Sequence, residues 1–167
     1  MRRVLLAAAV LLLPTGSARA EEGLTVLRLA GGISMVHPDM PKVGGAISTA
    51  LDYSFTDRLG GLGSALLVLH DKAKTLGLGV GFRGLLVERQ WWRLFAHVGP
   101  ELLLVWRPEQ DVRADLSFRG GIGFEYLLMW GLGFVVEIYG SAPMGLGKPD
   151  FLDGANAGAT LGLFMEF

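Results

Sequence analysis

Apolar and polar positions alternate with a period of two along most of the chain. Ile47, Thr49, Leu51, Tyr53 and Phe55 interleave with Ala46, Ser48, Ala50, Asp52 and Ser54. Successive side chains of an extended strand point to opposite faces, so this pattern predicts a strand with two unlike faces. The alternation returns in Leu76, Leu78, Val80 and Phe82 against Gly77, Gly79, Gly81 and Arg83, and in Leu94 to Leu104 against Arg93, Phe95, His97, Gly99 and Glu101. Leu116 to Tyr126 and Leu132 to Ile138 repeat it. With a first segment at Leu27, Leu29, Gly31, Ile33 and Met35, a segment of ambiguous phase at about 62–70, and a last one from about Ala157 to Phe167, the chain predicts eight strands. The expected connections alternate too: Asp57–Gly60, Glu88–Trp91 and Leu127–Gly131 are tight, whereas 37–43, 70–75, 106–112 and 141–155 are longer. Neither a helical period nor an internal repeat at solenoid spacing competes with this reading.

The two faces differ in chemistry. The apolar rows of the seven clearly phased strands carry no charge, whereas the opposite rows carry Arg28, Asp52, Arg83, Arg93, Glu101, Arg113, Asp115, Arg119, Glu125, Glu137 and Glu166, together with His97. Gly, Ala and Ser fill the spaces between these charges, and Lys is absent from them. A solvated surface is ordinarily richer in Lys, Thr and Glu. Small residues beside balanced Arg and Glu instead describe a crowded lumen, because an eight-stranded barrel is only wide enough for side chains to fill it. Arg83, Glu101, Arg119 and Glu137 hold central positions on that face and are expected to join an ion-pair network. The glycines at 77, 79 and 81 are expected to leave room for bulk such as Phe95 or an arginine. About ten residues at ~3.3 Å each, tilted by ~40°, cover the ~25 Å apolar band of an outer membrane. Closing the sheet then satisfies every backbone group in lipid. Tyr53, Phe55, Trp91, Trp92, Tyr126, Trp130 and Phe167 are expected near one rim and Trp106 and Tyr139 near the other, as interfacial girdles.

Composition fits one apolar domain. The 167 residues are 51% hydrophobic and include 25 glycines, and no shift marks a second domain. Arg2 and Arg3 precede the apolar run Val4–Leu13, and Ala18-Arg19-Ala20 supplies an Ala-x-Ala ending, so residues 1–20 predict a cleaved export signal and 21–167 the mature domain. Without Arg2, Arg3 and Arg19 the remaining 12 basic residues face 16 acidic ones, which leaves no basic patch for nucleic acid. No later apolar run approaches the ~20 residues of a membrane-spanning helix. Cysteine is absent, so no disulfide framework holds this exported domain.

Taken together, the chain resembles the small eight-stranded outer-membrane barrels of the OmpA/OmpX type. Its end is the most specific likeness: Ala159, Leu161, Leu163, Met165 and terminal Phe167 form an alternating apolar row closing on Phe, although Met165 stands where an aromatic residue is common. The resemblance implies an all-β, eight-stranded antiparallel up-and-down transmembrane barrel in the outer membrane of a Gram-negative-type cell. It also implies outer-membrane lipids as surroundings and the barrel assembly machinery as the partner that reads this last row. Oligomeric state stays open.

Candidate chemistry is sparse. Gly79-Val80-Gly81-Phe82-Arg83-Gly84 matches G-x-G-x-x-G, but a dinucleotide site needs that motif between a strand and a helix, whereas here it lies within a strand. The histidines at 37, 70 and 97 lack metal-ligand spacing. His37, His70, Asp71 and Ser141 fall near predicted loops, where a lipid-modifying enzyme would hold its base and nucleophile, yet neither G-x-S-x-G nor a His-x-Ser pair is present. No cofactor is implied. The sequence therefore reads as a structural or envelope-integrity barrel with a charged, plugged lumen, with a narrow porin-like pore or a lipid-modifying enzyme as alternatives.

Overall fold

The computed structural model describes residues 23–37, 43–71, 73–108, 111–129, 131–144 and 155–167. The expected export signal and Trp130 lie outside these residues. Eight strands follow one another: β1 (Thr25–Val36), β2 (Val43–Ser54), β3 (Leu59–Leu69), β4 (Lys74–Glu88), β5 (Trp92–Trp106), β6 (Arg113–Met129), β7 (Leu132–Pro143) and β8 (Asn156–Glu166). Each pairs antiparallel with the next, and β1 pairs with β8, so the sheet is a closed up-and-down barrel. Closure extends one residue past β8: the Phe167 N–H donates to the Thr25 carbonyl at 2.9 Å, tying the chain end to β1.

Local chemistry sets the short connections. After Ser54, the Thr56 hydroxyl accepts the backbone N–H groups of Arg58 and Leu59 at 3.3 and 3.0 Å, which pins the β2–β3 turn. Phe55, expected in the strand, belongs to this turn and folds over Gly61, edge-on to Tyr53. Gly131 takes φ 76° at the β6–β7 turn, a conformation that costs glycine little and other residues more. The three tight turns, the start of β1 and the end of β8 lie at one mouth of the barrel, the turn end, and the other connections lie at the opposite mouth, the loop end; the β3–β4 connection among these, expected to be longer, spans only residues 70–73 and is as short as the β2–β3 turn at 55–58.

The outward rows are apolar and exposed. Val80 and Ile138 are each 68% exposed, and Leu29, Phe82, Val98, Ile122 and Leu161 behave likewise. β3 is different: Leu62, Leu66 and Val68 point inward while Leu67 and Leu69 point outward, so both faces are apolar. This explains why its phase is ambiguous in the sequence. Pro100 interrupts the interior of β5, a place strands ordinarily deny to proline because it lacks the N–H the ladder needs. The β4–β5 register is the same immediately on either side and shifts farther on, between Leu85 and Val87, but pairing lapses opposite Pro100, between Gly79↔Glu101 and Phe82↔Val98.

Candidate functional site

All eleven charged residues of the polar rows, and His97, lie on inward-facing strand positions. They do not form one network. The largest group gathers at the turn-end half around Glu125, whose side chain is fully buried. Arg28 on β1 donates from Nε to Glu125 Oε1 at 2.8 Å and from Nη2 to Asp52 of β2. Arg83 on β4 donates to Glu125 Oε2 at 2.7 Å and lies 3.8 Å from Asp52. Arg93 on β5 approaches the same Oε2 at 3.1 Å and bridges on to Glu166 of β8. Because β2 and β6 face each other across an eight-stranded barrel, the pairs joining Asp52, Arg83, Arg28 and Glu125 cross the bore.

Aromatic and aliphatic packing surrounds these charges. The guanidinium carbons of Arg28 and Arg83 lie 4.3 and 4.5 Å from the Phe95 ring centroid. Phe95, Phe164, Val26 and Val135 form a buried cluster with Leu24, Leu85 and Leu127 packed against it. Room for Phe95 comes from Gly123 on the neighbouring strand, where any Cβ would collide with the ring. This corrects the expectation placed on β4, whose glycines serve other neighbours. Gly77 receives the carboxyl of Glu101, Gly79 lies against Ser64 and Pro100, and Gly81 faces the backbone of β5 at Val98 and Gly99. The G-x-G-x-x-G match thus lies wholly inside β4.

A smaller group occupies the middle. Glu137 Oε1 accepts from Arg119 Nη2 at 3.1 Å and pairs with His97 Nε2 at 3.0 Å. Arg119 also stands 4.9 Å from the Tyr139 ring centroid. Tyr139 is buried and points inward above Gly158, so it is no outer girdle residue; its place on the row of Val135 and Glu137 dictates this. Glu101 is expected to join a network with Arg83, Arg119 and Glu137, but these arginines pair instead with Asp52, Glu125 and Glu137. The Glu101 carboxylate, 1% exposed, accepts the hydroxyls of Ser117 at 3.0 Å and Ser141 at 2.5 Å, on the two strands next along the wall. Val36, Ala46, Leu66, Val68 and Tyr139 form the second apolar cluster in this half, and Arg113 pairs with Asp115 nearest the loops. Several buried polar atoms here have no hydrogen-bond partner among the described residues, including Arg119 Nε and Nη1, Thr160 Oγ1 and both amide atoms of Asn156.

The residues considered for lipid chemistry do not assemble. Ser141 is committed to Glu101 inside the lumen, while His70 and Asp71 line a pocket with Lys74, Trp106 and Arg107. His37 closes the end of β1 through its backbone N–H to Ala155. The serines at Glu101 and the His97–Glu137 pair carried no sequence signal beyond sharing the inward face. Lys74 carried one: it continues the outward row of Leu76 and Leu78 by one step. The terminal row Ala159, Leu161, Leu163, Met165 and Phe167 faces outward, with Phe167 the most exposed of them at 67%.

No protein-family model and no curated protein matches the chain. Solved structures do match. The N-terminal β-barrel domain of Pseudomonas aeruginosa OprF superposes with a TM-score of 0.65 at 11% identity, covering 86% of this chain and 97% of that one. Neisserial surface protein A gives 0.66 at 9% identity over 88% and 98%, and Ail, the attachment invasion locus protein of Yersinia pestis, gives 0.56 at 17% over 88% and 100%. At such identities the likeness is one of fold, and it covers nearly the whole of each partner. In fold, this chain is an eight-stranded antiparallel β-barrel of the OmpA/OmpX type.

Proposed function

We propose that the protein is an exported outer-membrane barrel whose lumen is plugged and whose role is structural, in envelope integrity, rather than enzymatic. Exposed apolar rows supply a lipid-facing surface, and the barrel's likeness to outer-membrane proteins supports the location. The observation that carries the plug is the set of ion pairs crossing the bore at Glu125, packed within the Phe95–Phe164 cluster and followed towards the loops by the Val36–Tyr139 cluster. Charges paired across the bore and packed among apolar side chains support a lumen closed to hydrated ions.

Membrane fractionation with heat-modifiable gel mobility tests the location, since a closed barrel keeps its compact mobility in SDS until boiled. Planar bilayer recording tests the plug, for which silence is expected. Reproducible conductance steps would favour a narrow pore instead, a reading to which the unpartnered polar atoms of Arg119, Thr160 and Asn156 lend some ground. The assembly machinery is the proposed reader of the last outward row. Deleting Phe167 should therefore lower outer-membrane levels and leave periplasmic accumulation or degradation, and unchanged levels would remove that role.

A further inference from the structure

Among the described strand residues, Lys74 is the only charged side chain on the outward rows. It opens β4 at the loop end, directly across the ladder from Trp106, the last residue of β5. Arg107 follows Trp106, and the β3–β4 connection brings His70 alongside, its N–H bonded to the Ala73 carbonyl at 3.1 Å. His70, Asp71, Ala73, Lys74, Trp106 and Arg107 line a pocket of about 240 Å³. Asp71 carries the one carboxylate in this set against two fixed cations.

We infer that this pocket binds the phosphorylated headgroup of an outer-leaflet lipid. The inference rests on the outer-membrane reading, in which the loop end meets the outer leaflet. A lone ammonium on a lipid-facing row is tolerated where its stem runs along the apolar band and its head reaches the interface. An indole beside it belongs to the same level. Lys74 and Arg107 together supply the point charge and the planar fork that phosphate oxygens accept from, and Trp106 covers the sugar or glycerol side of the headgroup. The outward Leu76 and Leu104, one step below, continue the surface for an acyl chain.

Native mass spectrometry of the folded full chain in detergent tests this, with bis-phosphorylated lipid A, phosphatidylethanolamine or inorganic pyrophosphate as probes. Lipid A should bind in preference to phosphatidylethanolamine, and the paired change Lys74→Gln with Arg107→Gln should weaken it by about tenfold, since each basic residue near a lipid surface contributes to binding. Arg89→Gln, at the opposite mouth, should leave binding unchanged, and Lys74→Arg should retain it. Undiminished lipid A binding by the paired variant overturns the site. Pyrophosphate binding as tightly as lipid A also overturns it, in favour of a free-phosphate site. Heat-modifiable mobility of each variant confirms that only folded barrels are compared. A protein that inserts in membranes yet shows no such preference refutes the headgroup site alone, whereas one that never reaches the membrane refutes the outer-membrane reading.

Discussion

The two halves of the lumen are filled by different physics. In the turn-end half, three arginines from β1, β4 and β5 converge on one carboxylate from β6, Arg93 from the adjacent strand and Arg28 from across the bore. In the loop-end half, Glu101 bonds to serines on β6 and β7, along the wall, and the bore itself is occupied by Leu66, Val68, Val36 and Tyr139. The first half is braced by directional charge pairs that lose heavily when one member goes. The second is held by apolar contact, which is non-directional and yields in proportion to the volume removed.

The sharpest way to break this comparison is to neutralise each central carboxylate without changing its size. Glu125→Gln leaves three buried guanidiniums short of a partner and should cost ~3 to 5 kcal/mol. Glu101→Gln keeps an oxygen for the serine hydroxyls and should cost ~1 kcal/mol or less, within the range of one neutral hydrogen bond. Urea unfolding in lipid vesicles measures both, and equal losses would mean that the halves are alike. Leu66→Ala probes the apolar half directly. Its side chain is buried at the centre of the loop-end cluster, so a loss of ~2 to 5 kcal/mol is expected by the same unfolding measurement.

Glycine notches sharpen the contrast on a smaller scale. A methyl at Gly123 would press into the Phe95 ring, which two arginines clamp, so Gly123→Ala should cost ~1 to 3 kcal/mol as overpacking. The atoms nearest a methyl at Gly77 are Oε1, Cδ and Cγ of Glu101, an unbranched side chain with more torsions to adjust than a ring clamped by two arginines, and Gly77→Ala should cost less than Gly123→Ala in parallel melts. An effect as small as that of Glu101→Gln is expected of Ser141→Ala, ~1 kcal/mol for one of the two hydroxyls on Glu101. A loss as large as that of Glu125→Gln would place a second brace in the loop-end half.

Much of the barrel was legible because strand alternation is a local property. The outward rows of β1, β2 and β4 to β8 follow from a period of two, and so does the inward placement of the charged residues. Local reading failed where one residue served two patterns. Phe55 continues an apolar row but enters a turn pinned by Thr56. Tyr139 suits an interface by its chemistry but sits on the row of Glu137, and its backbone position overrides its side-chain type. β3 has apolar residues on both faces because its inward side meets a lumen cluster, and no period distinguishes the two.

Partner choice among the lumen charges is where sequence and tertiary structure divide. The alternation by itself determined that Arg28, Asp52, Arg83, Glu101, Arg119, Glu125 and Glu137 share the inner face, since a strand's pleat leaves each residue only two sides. Only closure of the sheet decided that Arg83 meets Glu125 rather than Glu101, and that Glu101 meets serines. Those distances depend on the register of every ladder from β1 to β8 and on which glycine lies opposite each bulky side chain. A shift of one ladder moves a whole strand's charges to new neighbours while leaving that strand's own pattern untouched.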